Sequence, residues 1–505
     1  MAPAPHAEPL AALLTSGRID APALRAPEDA RAISHGELAR RVEQLAGRLA
    51  TLGVRRGDRV ALVAPNGPEI VQLILAITAL GAAAAPLNPA YTAEEHAFYL
   101  GDIAPRLLIL PAGEHAAART AAGALRIVEL TIVADDLPRL SRDGETVVDE
   151  SPFEPGGADD VALLLHTSGT TSRPKQVPLL QRNLMASART IVQHYALTPD
   201  DVSFCVMPLF HIHGLVASTF AALASGGSVV LPRRFSPRRF WSQAREGGTT
   251  WFSAGPTLHQ MILEKRDGDG PAALRFVRSC SSALSPALME RLEQTFGVPV
   301  LEAYGMTEAS HQMSSNPLPP AARIPGSVGI ATGVEIAVID ADRTLLPEGS
   351  EGEVVIRGPG VTPGYVAAPE ANADAFFDGW FRTGDRGVVE DGYLRLVGRL
   401  KEMILRGGEN ISPAEVEDVL LRHPAVSDAA CFGVDDEKYG EEVAAAVALS
   451  GEVDEAELIA FCGERLAAFK VPRTIHLLEA IPRTATGKLQ RRRVAAFVEE
   501  QGLAR

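Results

Sequence analysis

The sequence predicts an α/β fold: a large N-terminal domain of α/β sheets with a β-rich subdomain, then a small α+β C-terminal domain. Three observations predict it. Strand-length apolar runs alternate with segments of helical period from residue 37 to about residue 324. Between Gly326 and Arg399 the pattern changes to short strands separated by turns. After Arg399 it restarts as an α+β unit of roughly a hundred residues, enough to fold semi-independently.

The elements follow in order. Glu37 to Val54 places Leu38, Val42, Leu45, Leu49 and Leu52 on one helical face. Arg59 to Val63 reads as a strand. Pro68 opens the next helix, where a missing N–H costs nothing. Ile70 to Leu87 approaches membrane-spanning length, but Gln72, Thr78, Gly81 and Pro86 interrupt it; it reads as a buried helix running into a buried strand. Strands are expected at Ala83 to Pro86, Leu107 to Leu110 and Ile127 to Val133, in a mostly parallel sheet. Pro138 to Gly157 is polar and rich in Gly, Pro and acids, and reads as a surface connection. A second alternating block runs from Val161 to about Ile324. The β-rich subdomain has strands at Val334 to Asp340, Glu353 to Arg357 and Tyr393 to Val397. Beyond it come a helix at Pro413 to Arg422, strands at Ser427 to Val434 and Val443 to Leu449, and a helix at Asp454 to Phe469. The expected division is 1–399 and 400–505.

Composition narrows the function. The chain has 505 residues, 46% hydrophobic and 22% charged, with a formal net charge of -15. That balance argues against a nucleic-acid surface, which needs a basic stripe, but leaves room for an anionic small substrate at a local basic site. Cys205, Cys280, Cys431 and Cys462 form no C-x-x-C pair and have no histidine at metal-ligand spacing. Buried thiols in a reduced, cytoplasmic setting are expected, without structural zinc. MAPAPHAEPLAALL lacks a basic region and QGLAR is not a peroxisomal signal. A soluble monomer or homodimer without a membrane span is the expectation.

His166-Thr167-Ser168-Gly169-Thr170-Thr171-Ser172-Arg173-Pro174-Lys175 follows the apolar run Val161 to Leu165. Hydroxyls and approachable N–H groups around Gly169 make a concavity for an anion, and Lys175 adds a point charge. It is not the G-x-x-x-x-G-K-[ST] loop. Composition alone fits a surface loop with a solvated lysine equally well.

The run T-S-G-T-T-x-x-P-K resembles the signature loop of the adenylate-forming superfamily of acyl-CoA synthetases, adenylation domains and luciferases. Ser172 and Gln176 stand where that superfamily usually has glycine. The other motifs occur in the superfamily's order over nearly the whole chain. Tyr304-Gly305-Met306-Thr307-Glu308 resembles Y-G-x-T-E, which implies that Tyr304 stacks on adenine, Thr307 meets a phosphate and Glu308 helps hold Mg²⁺. Trp380 to Asp385 resembles W-x-x-T-G-D, which implies Asp385 on the ribose. Gly398 to Glu402 resembles the interdomain hinge, with Arg399 on the ribose and Lys401 as pivot. Ser282-Ala283 sits where relatives line the adenine pocket. Pro482 to Lys488 resembles the C-terminal catalytic loop and marks Lys488 as the residue that offsets repulsion between a carboxylate and a triphosphate. Arg491, Arg492 and Arg493 read as a solvated basic tail. Gly407 and Gly408 suit passage of a pantetheine arm. Arg233, Arg234, Arg238 and Arg239 are candidates for CoA phosphates or a solvated helix start.

The acid is read from two further stretches. Phe210-His211-Ile212-His213-Gly214 resembles the histidine-bearing gate beside the acyl pocket. T-E-A-S-H-x-M-S-S-N-P, Thr307 to Pro317, resembles the oxalate–CoA ligase branch, although that branch often has Ala at the position of Gly305. A small diacid keeps one unreacted carboxylate, which is costly to bury unpaired. His213, His311 and Ser315 are the candidates to meet it. The resemblance implies an ATP-dependent acid–CoA ligase with ATP, Mg²⁺ and coenzyme A, acting on oxalate and bearing a mobile C-terminal lid. The alternatives are a malonate or other short- or medium-chain acid ligase, an enzyme loading a carrier protein, a noncatalytic nucleotide-binding module, or a scaffold.

Overall fold

A computed structural model describes residues 7–29, 31–133, 136–167, 174–407, 409–483 and 489–500. Three sheets organise the chain. The first has eight strands. Its centre is parallel and runs Val161–Thr167, Ala83–Pro86, Arg59–Leu62, Leu107–Pro111 and Ile127–Thr131. Lys175–Leu180 closes one edge antiparallel to Val161–Thr167.

The other edge departs from the expected surface connection. Arg139–Arg142 and Glu145–Thr146 form a hairpin there. Asp143 and Gly144 take φ of 53° and 84°, the left-handed pair that tight hairpins require, and Leu140 is fully buried. The polar composition hid a two-strand cap on the sheet edge.

The second sheet has fourteen strands. A parallel block carries Val202–Cys205, Trp251–Ala254, Phe276–Ser279 and Val300–Met306. It continues, hydrogen bond by hydrogen bond, through His311–Ser315 and the short Ile330–Ala331 into the antiparallel strands Tyr393–Arg399, Trp380–Glu390, Glu351–Arg357 and Glu335–Ile339. The β-rich region is therefore an extension of the second sheet.

Two helices of the larger domain are buried on all sides, polar residues included. Pro68–Ala79 buries eleven residues, Pro68 to Thr78. The π-helix His213–Phe220 is buried at every position. The third sheet, of five strands, forms the smaller C-terminal domain with Pro413–Leu420, Glu455–Gly463 and Arg491–Glu500 packed on it. The helix expected to reach Phe469 ends at Gly463. The four cysteines are buried free thiols. Among the described residues, no helix is long and apolar enough to cross a membrane.

Candidate active site

Strand ends build the first corner. Trp380–Glu390 and Tyr393–Arg399 pair with Asp385 opposite Arg399. Arg399 Nε lies 3.2 Å from Asp385 Oδ1. Tyr304, near the end of Val300–Met306, donates its hydroxyl to Asp385 Oδ2. Burial and then the Asp385 charge push the Tyr304 phenol well above its ordinary range, so it stays a neutral donor. Ser282 and Ala283 lie exposed on the loop after Phe276–Ser279.

The second corner holds Lys175 and Glu308. Both meet Tyr365, which the sequence reading missed. Lys175 Nζ sits 4.6 Å from the centre of the Tyr365 ring, and the Tyr365 hydroxyl donates to Glu308 Oε1 at 3.0 Å. The loop carrying Tyr365 is tied down on both sides. Thr362 N–H donates to the Glu308 carbonyl at 2.7 Å, and Thr362 Oγ1 donates to the Pro178 carbonyl at 2.7 Å. Thr307 opens the short 3-10 turn Thr307–Ala309 and Thr167 ends its strand opposite Lys175. Ser168, Gly169, Thr170 and Thr171 lie outside the described residues. Glu308 offers one carboxylate, which fits a hard divalent cation whose remaining ligands are phosphate oxygens, and Lys175 fits the phosphate charge itself.

The third corner is a buried cationic cluster. His213 and His311 face each other with ring centres 4.9 Å apart. Arg278, fully buried on the central strand Phe276–Ser279, sends Nη1 to within 3.5 Å of His213 Nε2 and Nη2 to within 3.5 Å of His311 Nδ1. It donates to Ser253 Oγ (2.9 Å), Tyr195 Oη (2.9 Å) and Gln312 Oε1 (3.1 Å). Among the described residues, no carboxylate forms an ion pair with it. The tautomers follow from Arg278 being donor-only. Ser253 is then free to donate to His213 Nε2 (2.6 Å), and His213 Nδ1–H donates to Ser281 Oγ (2.9 Å). Burial holds both imidazoles well below their ordinary range; Arg278 and His211 add to this for each, and His311 also for His213. Gln312 Nε2 is buried and has no partner among the described residues.

His211 accepts the His213 N–H at Nδ1 (3.3 Å) at the entrance to the π-helix. Ser315 lies deeper than expected: its hydroxyl donates to the Asn316 carbonyl at 3.0 Å and meets Tyr195 Oη at 2.7 Å. It reaches Arg278 through Tyr195. His311 has a positive φ of 104°, and a Cβ at Gly305 would lie 2.1 Å from its carbonyl oxygen. Glu302, also missed, is 4% exposed and accepts from Leu284 N–H at 2.9 Å. Burial, opposed by that bond, raises its carboxyl to about 8.

In the smaller domain, Lys401 is exposed on the turn Leu400–Glu402, and Gly407 (φ 59°) donates its N–H to the Tyr439 carbonyl at 2.8 Å. Gly408 and Lys488 lie outside the described residues. Two arginine expectations are corrected. Arg491 is not a solvated tail residue: it binds Glu417 (2.7 and 2.9 Å) and Glu402, because Glu417 is buried and needs a counter-charge. Arg233 is taken up by Asp29 (2.8 Å) and Glu69 (2.5 Å), leaving Arg234, Arg238 and Arg239 exposed.

Arg278 had a usable signal. A charged residue in a four-residue strand covered on both sides must be buried. Of its two neighbouring strands, Trp251–Ala254 has no acid, and on Val300–Met306 the acid Glu302 stands opposite Ser279 rather than Arg278. Tyr365 had none, since only the tertiary fold brings its loop to Lys175.

The AMP-binding enzyme family model matches residues 15–366, and its C-terminal domain model matches 415–488. The chain is 47% identical to an oxalate–CoA ligase of Arabidopsis thaliana over 93% of this chain and 94% of that one. It is 49% identical to a probable CoA ligase, CCL9, of Humulus lupulus over 92% and 91%. It superposes on ATP-bound MatB from Rhodopseudomonas palustris with a TM-score of 0.88 at 30% identity, covering 97% of this chain and 99% of that one. With both domain models matched, the chain belongs to the AMP-binding enzyme family.

Proposed function

We propose that the protein is an oxalate–CoA ligase that forms oxalyl-CoA, AMP and diphosphate from oxalate, ATP and coenzyme A. One observation carries the choice of acid: Arg278 is a buried permanent cation with no described carboxylate partner, beside His213 and His311. A buried unpaired charge is costly, and a substrate with a second, unreacted carboxylate completes it. A fatty chain would bring only apolar surface. The unpartnered Gln312 amide adds a donor at the same cluster.

One oxalate oxygen attacks the α-phosphorus of ATP, the bond to the bridging oxygen breaks, and diphosphate leaves. The CoA sulfur, having lost its proton to solvent, attacks the acyl carbon; AMP leaves with the bonding pair. Tyr304, Asp385 and Arg399 hold the nucleoside, with Ser282 and Ala283 beside adenine. Lys175, Thr307 and the 167–171 hydroxyl loop hold the phosphates. Mg²⁺ on Glu308 would neutralise phosphate charge. Lys488, inside the matched C-terminal region, serves adenylation. His211 gates the acyl pocket. The division at 399/400, the Lys401 pivot and the Gly407-Gly408 passage complete the reading, in the cytoplasm. Holding the reactants in line contributes much of the rate.

Diphosphate release across oxalate, malonate, acetate and octanoate tests this. Oxalate should be preferred, and Arg278→Met should abolish that preference. Equal turnover of acetate or octanoate by the unaltered protein would overturn it.

A further inference from the structure

Lys175 is the first residue of its strand, and Gln176 follows it. Across the antiparallel pair, Lys175 faces Thr167 and Gln176 faces His166. Of the residues that join the two strands, 168–173 lie outside the described residues. The side chains of His166 and Gln176 converge on one group. Gln176 Nε2 donates to the Asp102 backbone carbonyl at 2.6 Å and to its Oδ2 at 2.5 Å. His166 Nε2 donates to the same Oδ2 at 2.9 Å. Directly opposed residues on one face are the pairs through which a sheet holds its register. Here a third residue bridges them from the last turn of the helix Ala93–Ile103.

The bridge is held firmly. His166 packs edge-on against Tyr99 with ring centres 4.8 Å apart, and Tyr99 stacks on Tyr91 at 4.8 Å. Gln176 is 7% exposed. Its backbone carbonyl accepts from Val366 N–H at 3.1 Å, next to Tyr365. Tyr365 in turn touches both Lys175 and Glu308. Gln176 and His166 together tie the helix to both strand ends, and the backbone of residue 176 adds the Tyr365 loop to the same frame. A residue without a donor at position 176 would leave the helix held to the His166 strand alone and the Lys175 strand end without its side-chain tie to Asp102.

We propose that Gln176, through Asp102 and His166, is a positioning residue that sets where Lys175 meets the ATP phosphates. It acts through Lys175 and does not itself touch the nucleotide. The inference rests on the adenylation reading above.

The test uses the full chain. Gln176→Met keeps the volume and removes the donor. Its KM for ATP, measured by ATP–diphosphate exchange with oxalate, should rise about 10-fold, the scale expected from sub-ångström misplacement of a charged contact. The KM for oxalate should stay within about twofold. Asp102→Ala, which also releases His166, should give a split in the same direction, and the double variant should be no worse than Asp102→Ala, because that variant already removes the Gln176 side-chain contact to the carboxylate. A merely structural role would lower the melting temperature and leave the ratio of the two KM values unchanged. If Gln176→Met does not fold, Gln176→Asn, which keeps the amide but shortens its reach, takes its place. An unchanged ATP KM in the glutamine variant, alongside a raised one in Lys175→Ala, would overturn the proposal and leave the ligase reading standing. Calorimetric Mg·ATP binding separates the failures. A chain that binds Mg·ATP more weakly in Gln176→Met but forms no acyl-adenylate keeps this inference and sinks the ligase.

Discussion

Glu302→Gln should change how stability responds to pH, with a size that follows from burial. Glu302 is buried, with Oε1 on Leu284 N–H and Oε2 without a partner among the described residues. Its carboxyl is raised from 4.5 to about 8, first by burial and further by the Asp418 charge, against the pull of the backbone donor. Between those two values the folded protein keeps a proton that the unfolded chain releases. Stability therefore falls as pH rises through the window, by about 1.4 kcal/mol per pH unit, and the loss is complete above the folded value. Glutamine has the same shape and does not titrate in this range. Relative to wild type, the variant should gain roughly 2 kcal/mol between pH 6 and pH 8, the slope easing near the folded value. At roughly 2.1 cal/mol/K of unfolding entropy for each of 505 residues, that corresponds to about 2 °C in Tm. Scanning calorimetry of both proteins at pH 6 and pH 8 reads the difference. A Tm gap that is the same at both pH values, or that narrows on the alkaline side, would refute a neutral Glu302.

Two other outcomes are expected. Lys488→Ala should lose adenylation yet retain most thioester formation from supplied acyl-adenylate, and equal loss of both half-reactions would remove its assigned role. Arg491→Ala leaves buried Glu417 without its counter-charge and should destabilise the smaller domain by about 3–5 kcal/mol, with Glu417→Gln restoring part of that; limited proteolysis and thermal melts report it.

Contiguous motifs were legible because a few neighbouring residues do their work on one strand end or turn. Tyr304 and Glu308 share a pentapeptide, and Asp385 and Arg399 close one hairpin. The Gln176 departure was visible in the sequence, but its meaning was not, since Asp102 lies 74 residues away. Arg491 illustrates the reverse error. Three consecutive arginines suggest a solvated tail, yet one of them answers two acids far back in the chain.

By itself, the sequence determined the class of fold, the order of the motifs and the chemistry they imply, because hydrophobic period and local spacing are properties of short segments. Only the tertiary structure decided what surrounds the acid. Arg278, Tyr195, Ser253 and His213 come from separate elements, His311 and Gln312 from one further strand, and their charge balance exists only once the parallel strands and the π-helix have packed around them. An ionised group carries no signal of its partner along the chain. The partner is whatever burial brings within hydrogen-bonding distance, and here the described residues bring donors and neutral rings but no carboxylate.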